Sequence, residues 1–347
     1  MRTGDISVPS NPTAPLRIAV VGAGRMGADH IDRLHTVIRR AQIAAVVDVD
    51  EARAQSAVEQ LDGAVACTTM EAALELDVDA VILATPGFLH EDALLPLIKR
   101  GIPVLCEKPL TPDPESALRV VQAEAAGGRR LIQVGFMRRY DVGYRALRDL
   151  IVNGQQGQLL LLHHQHRNAD VPPGFTNEMM IHDSVVHEFD AVRFLTGEEI
   201  VSVQVRAGRR SSLSADGLND PQIVVIETAS GILATVEIFV CAQVGYQVNT
   251  QASFERGVAS ISGASPLELT TDQRTGTAID AGFETRFQDA YDREVQEWVD
   301  SVLAGEPTGP TAWDGYATAA CCAAGLASQK NGQIVPVELA ERPELYR

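Results

Sequence analysis

Apolar and polar positions divide the chain into two rhythms. From residue 16 to residue 134, short apolar runs rich in β-branched residues alternate with amphipathic stretches of helical length. The runs at 16–21, 41–48, 79–83, 103–106 and 130–134 read as strands, with a weaker one at 64–67. The stretches at 51–60, 89–99 and 112–126 read as helices. Strands alternating with helices mean βαβ units, hence a mostly parallel sheet covered by helices. Beyond residue 134 the rhythm changes. Helices at 142–152 and 181–195 frame a strand at 159–162 that runs into a His-rich segment. Strands at 200–207, 222–226, 231–239 and 248–254, with shorter ones to about residue 271, then follow without intervening helices. Helices at 289–303 and 311–329 close the pattern, and 212–220 reads as an exposed loop. The expected architecture is an α/β Rossmann dinucleotide-binding domain at 16–138. It precedes an α+β domain at 139–347 built on a mostly antiparallel sheet. The stripe Ile232, Ala234, Val236, Ile238 and Val240 is apolar enough to need a cover, from the chain's own core or from a second subunit.

The first strand runs directly into Gly22-Ala23-Gly24-Arg25-Met26-Gly27 and then a helix, the dinucleotide-binding fingerprint. Gly22 suits the turn, Gly24 lets backbone approach a pyrophosphate, and Gly27 permits close helix–strand packing. A turn that merely needs flexible residues fits the same letters. Asp48, at the end of the second strand, stands where a carboxylate accepts the ribose hydroxyls of the adenosine half, although an ordinary helix cap also fits there. Val49, Asp50 and Glu51 follow it, so no cation stands there for a 2′-phosphate, and NAD is expected over NADP.

Composition narrows the partners. A net charge of −17 argues against nucleic acid, which needs a basic patch. Five cysteines without framework spacing suggest reduced thiols in a cytoplasmic protein. No run has the length and purity of a membrane span, so no membrane partner is expected. Residues 1–15, polar and rich in Pro, Ser and Thr, read as a flexible N-terminal tail and not as a signal peptide.

Two features carry candidate chemistry. Asp183 and His187 are four residues apart on an expected helix, so a carboxylate sits beside an imidazole, as a general base requires. A surface acid–base pair has the same spacing. Lys108 follows a strand end and precedes Pro109, where ligands of parallel sheets bind; its ammonium there would polarise a hydroxyl, and a surface loop lysine is the plain alternative. His163, His164, His166, His182 and His187 invite a metal reading, but their spacing matches no metal motif, and no metal is expected. His166 is expected to line a polar pocket.

Taken together, GAGRMG, AVVDVD, CEKPL, GFMRRYDVGY and HDSVVHEFDAVRFLTGEE resemble the Gfo/Idh/MocA oxidoreductases, over nearly the whole chain from Leu16 to Leu339. Within that family the resemblance is greatest to members that act on inositol. It implies hydride transfer between NAD and a ring hydroxyl of a cyclitol, myo-inositol to its 2-keto derivative. Dehydrogenation of scyllo-inositol, an amino-cyclitol or a hexose, and NAD binding without catalysis, are the alternatives. The resemblance implies Lys108, Asp183 and His187 as catalytic residues, with His166, Asn168, Tyr246 and Arg138 joining them around the substrate. It implies Gly22, Gly24, Arg25, Met26, Gly27, Asp48, Thr85, Pro86, His90, Glu107 and Lys108 around the cofactor, and a homotetramer. The segment 286–291 resembles one near the cofactor and subunit contacts. Gln243-Val244 and Pro172-Pro173-Gly174 depart from the family pattern.

Overall fold

The computed structural model describes residues 14–262 and 267–347, so the expected tail lies outside the described residues except for Ala14 and Pro15. Packing divides the chain into two units. One comprises the chain to Phe136 with Tyr291–Ala319 and Ala340–Arg347; the other comprises Met137–Ala290 and Ala320–Leu339.

The first unit runs β1 (Leu16–Val21), α1 (Arg25–Thr36), β2 (Ala41–Val47), α2 (Glu51–Val58), β3 (Val65–Cys67), α3 (Met70–Leu74), β4 (Ala80–Leu83), α4 (His90–Arg100), β5 (Val104–Cys106), α5 (Pro114–Gly127) and β6 (Ile132–Val134). Its six strands are parallel, in the order β3-β2-β1-β4-β5-β6. The order reverses at β1, which lies between β2 and β4, and ligands of such sheets bind beyond the strand ends at that reversal. The strand interiors are apolar on both sides because helices cover both faces: Ile18, Val20, Val46, Ile82 and Leu105 are all buried. The short helix α3 has no counterpart in the hydropathy pattern. It is one turn long and is capped by Thr69, whose side chain accepts from the Ala72 amide.

The second unit contains α6 (Val142–Asn153), β7 (Leu159–Arg167), α7 (Asn177–Met179), a π-helical turn (Met180–Val185), α8 (Val186–Thr196), β8 (Ile200–Ala207), β9 (Gln222–Thr228), β10 (Leu233–Phe239), β11 (Gln247–Phe254) and β12 (Gly257–Ile261). A hairpin of β13 (Glu268–Thr271) and β14 (Arg274–Thr277) follows, then α9 (Phe283–Arg286), α10 (Gln288–Ala304), α11 (Ala312–Asn331) and β15 (Val335–Pro336). The seven-stranded sheet has the order β12-β11-β7-β10-β9-β8-β15. Neighbours are antiparallel except β7 and β10, which run parallel.

The apolar stripe on β10 is covered from within the chain. Ala234, Val236, Ile238 and Val240 are buried. The opposite side of the strand holds polar contacts: Glu237 pairs with Arg167 at 2.7 Å, and Thr235 meets His163 at 2.8 Å. The π-helical turn packs against β10, and α11 approaches that turn and α8 through a small residue. A Cβ on its Gly325 would lie 3.2 Å from Ile181 Cγ2 and 3.6 Å from Phe189.

The division of the chain differs from the single boundary expected near residue 138. Most of α10 packs into the first unit, because Val295, Trp298, Val299 and Val302 form one stripe at helical spacing. That stripe joins the core made by Ile18, Val20, Ile31, Leu34 and Ile82. The terminal segment returns as well: Tyr346, buried, bonds the Glu124 carboxylate on α5. Among the described residues no helix is long and apolar enough to cross a membrane.

Candidate active site

In the first unit the glycine turn has the geometry its letters imply. Gly22 has φ +95°, and a Cβ there would lie 2.8 Å from the Ala84 carbonyl oxygen. A Cβ on Gly27 would lie 1.8 Å from the Gly22 carbonyl oxygen, so α1 approaches β1 only because both positions lack one. Gly24 is the contrast, with nothing within 4 Å of its would-be Cβ. It caps α1 without a side-chain hydrogen bond, and the first turn carries no acidic residue. Open space and the positive end of the helix suit an anionic pyrophosphate. Arg25 is exposed beside it and Met26 half-buried.

Asp48 follows β2 and is 7% exposed. Its Oδ2 accepts from the Ala23 amide and its Oδ1 from the Asp50 amide, each at 2.9 Å. Arg53 on α2 reaches both oxygens, at 3.1 and 3.2 Å. Burial opposes ionisation here, but those two amides and the guanidinium outweigh it and hold the carboxyl below its usual range. The expectation that no cation stands at Asp48 is therefore corrected: Val49, Asp50 and Glu51 carry none, but Arg53, the fifth residue on, is brought back by the first turn of α2.

Thr85 and Pro86 follow β4, and the Thr85 Oγ1 is buried with no hydrogen-bond partner among the described residues. Lys108 is half-buried after β5, in a loop whose Lys108–Pro109 peptide is cis. Beneath it Glu107, 6% exposed, accepts the Lys108 amide at 3.2 Å and bonds His30 Nε2 at 2.8 Å. Burial works against the Glu107 charge, and His30 with Lys108 reverses the balance, keeping its carboxyl below the usual value. His90 differs from expectation. It is fully buried, with Nδ1 2.9 Å from the Pro109 carbonyl oxygen and Nε2 2.8 Å from that of Thr85. Its ring ties together two strand-end loops, and burial lowers its pKa. Both of its nitrogens are thus occupied by backbone carbonyls of those loops.

In the second unit, Asp183 and His187 are not on one uninterrupted α-helix. Asp183 lies in the π-helical turn and His187 on the first turn of α8. A π turn inserts a residue into the helical register, a distortion common at functional sites. Asp183 is half-buried and His187 is 7% exposed. His164 and His166 share the inward side of β7, as alternation requires. They bind different partners. His164 Nδ1 meets Thr250 Oγ1 at 2.9 Å, and Thr250 also meets the Tyr144 hydroxyl at 3.0 Å. Burial pushes His164 down to about 4. His166 Nδ1 stands 3.1 Å from each Glu188 oxygen.

Arg138, expected around the substrate, is 1% exposed, and its guanidinium forms an ion pair with Glu188, which is fully buried. A buried carboxylate demands a buried cation, and Arg138 fills that need. Asn168 is half-buried with its Oδ1 lacking a partner among the described residues, so its amide retains capacity for a hydroxyl. Tyr246 is 7% exposed, its ring edge-on to His166 at 5.9 Å, and burial drives its hydroxyl up to about 12. The segment 286–291 divides: Arg286 pairs with Asp141 at 3.0 Å in the second unit, and Tyr291 lies 5.1 Å from the Arg33 guanidinium in the first.

Among the polar residues of these clusters, Arg53, His30, Glu188, Tyr144 and Thr250 were not singled out from the sequence. Glu188 follows His187 directly, and Arg53 follows Asp50 by one helical turn; both signals were legible. His30 and Tyr144 depend on contacts far along the chain. Among the described residues no group of three or more His, Cys, Asp or Glu is placed to hold a metal ion.

A family model of the Gfo/Idh/MocA oxidoreductases, described as having an NAD-binding Rossmann fold, matches residues 16–136, and a model of the Gfo/Idh/MocA C-terminal domain matches residues 144–260. Inositol 2-dehydrogenase of Pseudarthrobacter chlorophenolicus is 61% identical over 335 residues, covering 96% of this chain and 99% of that protein. Inositol 2-dehydrogenase of Corynebacterium glutamicum ATCC 13032 is 47% identical over 333 residues, covering 95% and 98%. The crystal structure of myo-inositol dehydrogenase from Lactobacillus casei with NAD(H) and myo-inositol superposes with a TM-score of 0.92 at 35% identity, covering 96% of this chain and all of that one.

Proposed function

The chain belongs to the Gfo/Idh/MocA oxidoreductase family, and on that premise we propose that it oxidises myo-inositol at one ring hydroxyl to the 2-keto product. It is an NAD-dependent oxidoreductase acting on a cyclitol. The observation that carries the substrate is the 61% identity to an inositol 2-dehydrogenase across 96% of the chain.

The residues present fit the cofactor. The open cradle at Gly24, the positive end of α1, the anchored Asp48 and the unpartnered Thr85 hydroxyl offer a pyrophosphate, a ribose and a nicotinamide amide what each requires. When bound, NAD supplies the hydride acceptor. The protein must then manage one proton and one developing negative charge. His187, as general base, takes the hydroxyl proton, and Asp183 orients it. The Lys108 ammonium donates a hydrogen bond that stabilises negative charge developing on substrate. Glu107, tied to His30 and to the Lys108 amide, holds the loop from which Lys108 extends. Asn168, His166 and Tyr246 meet the remaining hydroxyls, with Arg138 acting from behind them.

Following NADH formation with myo-, scyllo- and chiro-inositol and glucose, compared by kcat/KM, tests this reading. Myo-inositol is expected to lead; preference for any other polyol reassigns the substrate, and no turnover with any of them removes the reading. We further infer a homotetrameric, cytoplasmic enzyme from the family resemblance and the five free cysteines. Light scattering of the purified protein checks the tetramer.

A further inference from the structure

The mechanism above makes no use of Glu188, yet it is one of the most confined charges in the second unit. Both of its oxygens stand 3.1 Å from a single atom, His166 Nδ1. An ionised carboxylate only accepts hydrogen bonds, so this approach requires a proton on Nδ1. Arg138 Nη2 lies 3.3 Å from the same nitrogen, but a guanidinium only donates. Arg138 and a protonated Nδ1 are therefore two donors brought together by the carboxylate between them. The Arg138 charge and the hydrogen bond from His166 Nδ1 also keep Glu188 ionised against its burial. Three elements supply the cluster: the segment Met137–Tyr140 carries Arg138, β7 carries His166, and α8 carries Glu188. Alternative tautomers of His166 would place a bare nitrogen lone pair against two carboxylate oxygens. In a buried setting that repulsion is costly.

Resting on the reading of His166 as a polyol contact, we propose that Glu188 is a positioning residue that fixes His166 in the Nδ1–H tautomer, leaving Nε2 as a hydrogen-bond acceptor for a substrate hydroxyl. His166 then requires a donor at one ring position. An analogue lacking that hydroxyl leaves Nε2 unmet, whereas one that extends a neighbouring group does not. Glu188 thereby contributes to substrate choice without touching substrate.

The test is heteronuclear NMR of the whole protein with 15N-labelled histidine, without substrate, at neutral pH. The expected result is a His166 ring with Nδ1 protonated and Nε2 bare. A proton on Nε2, alone or with one on Nδ1, overturns the proposal. Glu188→Gln is expected to raise KM for the polyol tenfold or more with Kd for NAD unchanged, and to shift the His166 ring signals. The double variant Arg138→Gln/Glu188→Gln removes the buried charge from both partners and gives the same measurement where the single variant does not fold. Unchanged ring signals and KM in a folded variant overturn the proposal. The wild-type NMR result is independent of turnover, so failure of polyol oxidation would remove the substrate assignment and leave the tautomer assignment to its own result.

Discussion

Asp48 is anchored by two backbone amides and faced by Arg53, an arrangement that bears on cofactor choice. Asp48→Ser is expected to weaken NAD more than NADP, because the freed Arg53 becomes available to a 2′-phosphate. Calorimetric Kd values for both cofactors check this, and an unchanged ratio refutes it. Lys108→Ala and His187→Ala are each expected to lower turnover by about 10²-fold or more while NAD binding persists, measured as kcat beside a direct Kd. His164 gives a pH prediction. Its folded pKa of about 4 lies below the ordinary 6.5, so the unfolded chain binds the extra proton between those values. Stability from His164 is thus complete above pH 6.5 and declines as pH falls toward 4. His164→Gln should flatten that part of a denaturation-midpoint profile; an unaltered slope excludes the effect. At this scale the sequence discloses residues whose role is set by near neighbours, as with Asp48 after its strand. Residues defined by remote partners, His30 with Glu107 and Tyr144 with Thr250, are illegible until the fold brings them together.

At the scale of elements, strand–helix alternation located every strand of the parallel sheet, because helices on both faces make each strand a continuous apolar run. The π-helical turn at Met180–Val185 was not legible, since nothing in those six residues differs from ordinary helix sequence. It changes the angular relation between Asp183 and His187 that simple four-residue spacing assumes. Deleting Ser184 from this turn should restore α-helical register and rotate the preceding residues by about 100° relative to α8. Loss of turnover with NAD binding intact is expected, and retained turnover would show that the register is immaterial. The parallel pairing of β7 with β10 was also hidden. Hydropathy alternation states which side of a strand is buried but not which way its neighbour runs.

For the whole molecule, the position of α10 carries the main consequence for stability. Trp298 is fully buried in the core of the dinucleotide-binding unit, so Trp298→Ala is expected to cost about 3–5 kcal/mol. Chemical denaturation monitored alongside NAD binding checks this; a loss below 1 kcal/mol (roughly the scale of a surface change) contradicts it. A boundary near residue 138 was readable because the hydropathy rhythm changes there. The return of α10 and of Tyr346 was not, because an amphipathic helix carries no address for the core it joins. The unit whose strands are synthesised first thus stays unfinished until chain more than 150 residues downstream of β6 has been made, since α10 begins at Gln288 and β6 ends at Val134. On the ribosome its sheet must wait with an unfilled groove where Trp298 belongs, exposed to aggregation and in need of shelter.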